Sequence, residues 1–293
     1  MMNNPVIMHV NYGEIRHLCF GGKTVDDVCR MAAELGFDGI EFRGVVPKDI
    51  GEVSFREYVE QVKTAKEKYG IPSMLFSIGI ENIYSADKAE RTAGVQKALE
   101  KAQLVHDLCG TILCNTQAAT ILDPNAENRD FARHGSAVAT QEHWDMAVEA
   151  YQALAKGIEP LGMKFAFETH MKYIHDLPEA SRKLVDLIDS PNIGINMDYG
   201  NTVYFAGCPS VEEAIDIYGD KLFYTHLKNS VAIAGDRMPT ALSEGQINHR
   251  IYLKKLQSVG FNGPIGIEAP RPGDRYWFAQ QDMAYYKALR SSI

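Results

Sequence analysis

The chain has 293 residues, 45% hydrophobic and 23% charged, with 24 Gly and 12 Pro spread along its length. That composition excludes disordered, collagen-like and fibrous chains, and no apolar run approaches the roughly 18 residues a membrane span needs. Thirty basic against 38 acidic residues give a formal charge of −8 with no block of five basic residues, so a nucleic acid is not an expected partner.

In chain order, the N-terminal Met-Met-Asn-Asn-Pro has neither the basic region nor the apolar stretch of a secretion signal, which makes the cytoplasm the expected compartment and a membrane no partner. A strand signal over 6–11 precedes a helix over 24–35, where Thr24 with Asp26 and Asp27 supplies an N-cap and an acidic first turn, and Gly36 the closing residue. A strand over 39–43 and a helix over 55–69 closed by Gly70 follow, then a strand over 74–78 and a long helix near 86–107. The fourth strand is expected at 110–114. Residues 116–139 form the longest irregular stretch, a length that suits a lid over a site better than a plain connector. Helices are then expected over 142–161, 177–188, 211–218, 248–259 and 276–289, and strands over 162–168, 192–198, 222–226 and 264–268.

Eight strands thus alternate with eight helices. Short continuous apolar runs fit buried parallel strands, and strict alternation implies a parallel sheet because the right-handed crossover needs a helix. Eight units in this length is the size of an α/β fold of the (β/α)8 TIM-barrel class, one domain over 1–293. A doubly wound sheet is the alternative, and it lacks a Gly-rich phosphate fingerprint after the first strand, since Asn11-Tyr12-Gly13-Glu14 does not qualify. Five cysteines (Cys19, Cys29, Cys109, Cys114, Cys208) are odd in number, contain no Cys-x-x-Cys and fit buried reduced thiols. Trp144, Trp277 and Tyr285-Tyr286 fall on predicted helices and suit core or subunit packing.

The last four strands each end on a metal-competent side chain, Glu168, Asp198, His226 and Glu268, at separations of 30, 28 and 42 residues, about one strand–helix unit each. In a barrel these ends share one rim, where barrel enzymes place their active sites. Three carboxylates and one imidazole form a mostly hard oxygen set suited to one divalent cation, Mn²⁺ ahead of Mg²⁺, Co²⁺ or Zn²⁺. Taken singly, each is as readily a strand-end group capping a helix; four in series favour a site.

The segments Phe167-Glu168-Thr169-His170, Asn196-Met197-Asp198-Tyr199-Gly200-Asn201, Tyr224-Thr225-His226-Leu227-Lys228-Asn229 and Gly266-Ile267-Glu268-Ala269-Pro270 resemble the strand-end motifs of the xylose-isomerase-like TIM barrels, the sugar phosphate isomerase/epimerase group. Ser243-Glu244-Gly245-Gln246-Ile247-Asn248 resembles that group's Gly-Glu-Gly segment, and the likeness is strongest from residue 160 onward. The resemblance implies that Glu168, Asp198, His226 and Glu268 are metal ligands, with Glu168 and Glu268 also facing the substrate from opposite sides as acid and base. The implied activity is an isomerase or epimerase acting on a small keto-sugar or related polyol by proton transfer through a metal-stabilised enediolate. The alternative is a dehydratase or lyase using the same site on a keto-sugar, keto-inositol or oxidised glycoside. Family habit implies a homo-oligomer.

A metal-bound carboxylate is a weak base, because the cation favours its ionised form. His170 and His175, after the fifth strand, are alternative bases; His170 is the stronger candidate because it lies two residues beyond Glu168, and His175 is more readily structural. Glu41 and Arg43 on the second strand, and Asn115 and Gln117 near the fourth, suit substrate hydroxyls, though rim contacts would use them equally well. Lys228 or Arg271 suits a developing oxyanion or an acidic group, and Arg237, Arg271 and Arg275 suit a phosphate or carboxylate unless paired internally. In ketohexose epimerases of the family the third position after the Asp ligand is a substrate-binding His; here it is Asn201, expected at the substrate in its place. Endonuclease relatives also use that His, with extra ligands for three metals. Asn201, the lack of Asp-x-His between His226 and Glu268, and the acidic charge disfavour a hydrolase or nuclease, and the intact Glu168 and Glu268 disfavour a non-catalytic binding barrel.

Overall fold

The computed structural model describes residues 3–13, 24–48, 51–233, 236–269 and 271–293. In order, the main elements are β1 (Val6–His9), α1 (Val25–Leu35), β2 (Gly39–Arg43), α2 (Phe55–Tyr69), β3 (Ser73–Ser77), α3 (Lys88–Cys109), β4 (Leu113–Thr116), α4 (Gln141–Ile158), β5 (Lys164–Glu168) and α5 (Pro178–Ile188). They continue with β6 (Ile193–Asp198), α6 (Tyr199–Thr202), α7 (Val211–Tyr218), β7 (Leu222–Leu227), β8 (Asn229–Ile233), β9 (Asp236–Thr240), α8 (His249–Ser258), β10 (Ile265–Ile267) and α9 (Arg275–Arg290). Eight strands close a parallel barrel in the order β1-β10-β7-β6-β5-β4-β3-β2, and β8 pairs with β9 separately. No described helix is long and apolar enough to cross a membrane.

Local chemistry sets the helix ends. Thr24 caps α1 by accepting the Asp27 N–H while the Asp27 side chain returns to the Thr24 backbone, and Gly36 closes the helix in the left-handed region. The same reciprocal box opens α2 at Ser54/Glu57 and α7 at Ser210/Glu213.

The chain divides into two compact units, Met1–Phe76 with Asp107–Thr111 and Thr225–Ile293, and Ser77–His106 with Ile112–Tyr224. In the first, β1 pairs with β10 and β2, setting Ile7 opposite Gly266 and Gly39, and β10 pairs with β7. In the second, β5 pairs with β4 and β6. Successive strand residues point to opposite faces, and the outward positions near the strand ends are pinned by helix tyrosines. Thr116 bonds Tyr151 of α4 at 3.0 Å, Thr169 bonds Tyr218 of α7 at 2.9 Å, and Thr225 bonds Tyr252 of α8. With an outward residue fixed, its neighbours Asn115, Glu168 and His226 face the other way.

Several expected boundaries shift. The fourth strand runs from Leu113 to Thr116 rather than over 110–114, because Gly110 at φ 65° ends α3 and Ile112 stays 67% exposed. An apolar run therefore marks a strand's middle better than its polar end. The β8–β9 hairpin and the single turn α6 are elements that periodicity does not announce; β9 is largely exposed and offers no alternation of buried and exposed positions. Cys29, Cys109 and Cys114 are buried, and burial pushes the thiols of Cys29 and Cys109 up to about 12 and about 11. Cys19, Glu14 and Pro270 lie outside the described residues. Trp144 is buried, whereas Trp277 is 51% exposed.

The stretch after β4 carries two 3-10 turns, Phe131–Arg133 and Gly135–Ala137, and is tied to the segment after β5. Ile121 N–H donates to the Lys172 carbonyl at 2.8 Å, and Thr120 bridges Tyr173. Gly135, at φ +60°, lies where a Cβ would stand 2.2 Å from Asp176 Oδ2, so only glycine fits. Asp176 is 1% exposed; its Oδ2 accepts the Ser136 N–H at 3.1 Å, while Oδ1 has no hydrogen-bond partner among the described residues.

Burial pushes the Asp176 carboxyl up to about 6 from 3.8, against the opposing Ser136 N–H. The folded protein therefore keeps this proton to higher pH than the unfolded chain, and stability falls as pH rises from 4 through 6, by at most about 3 kcal/mol. Asp176→Asn is expected to flatten that dependence in urea unfolding at pH 4.5 and 7.5. Equal slopes in the variant and the parent would remove Asp176 as the cause.

Candidate metal centre

In the first unit, the barrel interior receives His9 from β1, Glu41 from β2, His226 from β7 and Glu268 one residue past β10. Glu41 and His226 are 0% exposed. His226 Nε2 lies 2.7 Å from Glu41 Oε2, and its Nδ1 lies 3.1 Å from Glu268 Oε2. His9 stands 4.0 Å from the Oε1 atoms of both glutamates, edge-on to His226, and its Nδ1 accepts the Asn11 N–H at 3.2 Å. Glu268 also accepts from Asn11 Nδ2 at 2.9 Å and from Lys228 Nζ at 3.4 Å. Burial pushes the Glu268 carboxyl up, but the Lys228 ammonium and the His9 and His226 imidazoles outweigh it and hold it well below the usual carboxylate range. Asn11 is itself fixed by Arg43, whose Nη2 donates to Oδ1 at 2.6 Å, and by Arg275, which donates to its carbonyl.

The second unit supplies a different environment. Glu168, closing β5, is 5% exposed and takes three side-chain amide bonds, from Asn115 at 2.9 Å and Gln117 at 2.8 Å on Oε2 and from Asn201 at 3.3 Å on Oε1. Asn196 of β6 donates to Asn115 Oδ1 at 3.2 Å. Asp198 closes β6 and caps α6, its Oδ1 accepting the Asn201 N–H at 3.2 Å. A strand-end carboxylate that caps a helix is what any single position suggested. Here the same residue also belongs to a larger group.

Glu168, Asp198, His226 and Glu268 each offer one ligand atom, and these atoms lie within 4.8 Å of one another. Three carboxylates with one imidazole are a donor set that fits a divalent cation of the Mn²⁺ or Mg²⁺ type, and like charges so close need a positive partner. The four residues named from the sequence are therefore brought together.

The two histidines after β5 separate cleanly. His175 is fully buried; its Nε2 accepts the Ala118 N–H at 3.1 Å and its Nδ1 donates to the Glu168 carbonyl at 2.8 Å. A backbone N–H only donates and a carbonyl only accepts, so the tautomer is fixed and both nitrogens are engaged. Burial pushes this imidazole down to about 3. His170 is half-buried, and its Nδ1 meets the Met171 carbonyl at 3.0 Å, which leaves the lone pair of the neutral ring on Nε2.

Of the expected substrate contacts, Asn115 and Asn201 hold Glu168, Lys228 faces Glu268, Arg43 holds Asn11 and Glu41 meets His226. Reading the sequence missed His9 and Asn11. The available signal was polar residues interrupting and ending the apolar run of the first strand, the same signal that marked the last four.

The family model of the xylose isomerase-like TIM barrels matches residues 29–290. The inosose dehydratase of Geobacillus kaustophilus is 23% identical over 290 residues, covering 91% of this chain and 87% of that protein. Among solved structures, the D-allulose 3-epimerase of a Methylomonas species in complex with D-allulose superposes with a TM-score of 0.75 at 16% identity, over 99% of this chain and 98% of that one. A xylose isomerase-like barrel protein of Mycobacterium smegmatis in complex with magnesium gives 0.74 at 19% identity, over 99% and 97%. At these identities the structural likeness establishes the fold.

Arg271 is the expected substrate contact that the structure ties elsewhere. It is 8% exposed; its Nη1 donates to the carbonyls of Ala269 and Thr240 at 2.7 and 3.0 Å and to Asp282 Oδ2 at 2.9 Å, and its guanidinium lies over the Phe278 ring. Asp282 is 1% exposed and also accepts from Tyr12 and the Leu242 N–H. Removing one partner of such a pair leaves an uncompensated buried charge. Arg271→Ala is expected to lower unfolding stability by about 3–5 kcal/mol. Undiminished stability with a raised KM would instead place Arg271 at the substrate.

Proposed function

The chain belongs to the xylose isomerase-like TIM barrel family, and on that footing we propose that it is a metal-dependent isomerase or epimerase of a small keto-sugar or related polyol. The observation that carries this reading is the four-donor group of Glu168, Asp198, His226 and Glu268 within 4.8 Å. These residues would hold one divalent cation, Mn²⁺ by preference among Mg²⁺, Co²⁺ and Zn²⁺. When bound, the cation supplies Lewis-acid stabilisation of negative charge on the substrate's oxygens.

The protein's own groups divide the remaining work. Glu268 and Glu168 are the proton-transferring pair, one removing a proton from the carbon beside the carbonyl and the other returning one, to the opposite face for epimerisation or to the neighbouring carbon for isomerisation. Three amides hold Glu168 in one orientation, while Lys228 sits beside Glu268, where an ammonium can hold a developing oxyanion. His170, with its lone pair on Nε2, is the alternative base. Asn115, Asn201, Arg43 and Lys228 border these groups and would orient substrate hydroxyls. Residues 116–139 would form the lid. A homo-oligomer and a cytoplasmic location complete the reading.

A second reading is a dehydratase or lyase, favoured by the inosose dehydratase likeness over most of both chains. Removal of the same proton with a leaving group one carbon along gives elimination. Incubation with candidate keto-sugars in D₂O separates the two: deuterium beside the carbonyl of an intact product marks epimerisation or isomerisation, and loss of water or an aglycone marks elimination. Glu268→Gln is expected to lower kcat at least about 10²-fold in that assay while the barrel still folds; unchanged turnover would remove Glu268 from the mechanism. Metal analysis should find one ion per chain, and none after purification and Mn²⁺ reloading would defeat the proposal.

A further inference from the structure

Glu41 does not border open space. It is 0% exposed, and its Oε2 lies 2.7 Å from His226 Nε2. With Glu41 ionised, its carboxylate can only accept, and the hydrogen between these atoms is then the imidazole's Nε2–H. Nδ1, across the same ring, lies 3.1 Å from Oε2 of Glu268, another member of the donor group. The other oxygen of Glu41 faces a second imidazole: His9 Nδ1 accepts the Asn11 N–H, so in the neutral ring Nε2 carries the hydrogen, 4.0 Å from Glu41 Oε1.

A neutral amide or a backbone carbonyl would satisfy a buried imidazole N–H equally well, and at a smaller desolvation cost than a carboxylate. Selecting a carboxylate at a fully buried position is explained when its charge acts on the ring. A carboxylate behind a ligating imidazole fixes the tautomer and ring plane and strengthens the donor on the far nitrogen.

We propose that Glu41 is a positioning residue for the metal centre: it holds the Nε2 proton of His226 and thereby presents Nδ1 as the ligand atom. This rests on the metal reading given under Proposed function. It moves Glu41 from the substrate to the shell behind a ligand, and it makes β2 a contributor to the centre although it supplies no ligand.

The test uses the full chain and Glu41→Gln and Glu41→Ala variants. Calorimetric titration of the metal-free proteins with Mn²⁺ is expected to show binding weakened by about 10- to 100-fold, more for Ala than for Gln, whose amide oxygen still accepts a hydrogen bond. In the metal-free parent labelled with ¹⁵N-histidine, the ring signals assigned by difference from His226→Gln should place a proton on Nε2, and that proton should shift in Glu41→Ala. A purely space-filling role would not move it. Mn²⁺ affinities of both variants equal to the parent's, or a parent ring protonated on Nδ1 alone, would overturn the assignment. A parent that binds no Mn²⁺ would instead defeat the metal reading itself, so the two failures are distinguishable.

Discussion

One fully buried imidazole with a carboxylate on each side governs the first unit's share of the site. His226 cannot turn without breaking its 2.7 Å contact to Glu41, and with the ring fixed, the approach of Glu268 to Nδ1 is fixed as well. Glu268 in turn is held by Asn11 and Lys228, and Asn11 by Arg43 and Arg275. The chain of contacts runs from β2 through β7 and the end of β10 back to the turn after β1, and each link joins a charged group to an opposite or polar partner. In a poorly solvated barrel interior, burying an acid without such partners favours its neutral form.

In the second unit, amides and a helix backbone orient the carboxylates. Glu168 is surrounded by amides from Asn115, Gln117 and Asn201, and Asp198 by the backbone of α6. Amides orient a carboxylate without adding charge, whereas the Lys228 ammonium beside Glu268 both orients it and stabilises its ionised form. Two glutamates in one donor group thus have unlike surroundings, the condition under which paired carboxylates take separate acid and base roles.

How much of this was legible in the sequence follows from what periodicity encodes. Strict strand–helix alternation announced the barrel, because eight apolar runs spaced by amphipathic stretches admit few other folds. The capping box at Thr24 and the left-handed glycine at Gly36 were readable because they depend on residues within a few positions. The four candidate donors were legible because each interrupts or ends its apolar run at the same point of the repeat. Glu41 carried the same mark, but whether a polar strand residue faces a ligand or a substrate depends on its partner across the barrel, 185 residues away in the case of His226. The internal pairing of Arg271 was open in the sequence for the same reason, since Asp282 and the Thr240 and Ala269 carbonyls that hold it come from different elements. The β8–β9 pair lacked a signal because β9 is largely exposed and need not alternate.

The position three residues after Asp198 shows how a single exchange alters what a rim can do. Asn201 donates its side-chain amide to both Glu168 Oε1 and the Thr169 carbonyl, at 3.3 and 3.0 Å, while its backbone N–H meets Asp198. An imidazole has one nitrogen on each side of a flat ring and could not serve two acceptors lying on the same side; it also carries a proton that can be exchanged near neutral pH. An amide has two donors on one nitrogen and does not titrate. Asparagine here links the Glu168 and Asp198 carboxylates through one residue and contributes no proton of its own. On the proposed reading, proton transfer beside Asn201 would fall to Glu168 or His170, because an amide there can orient a carboxylate but cannot carry a proton.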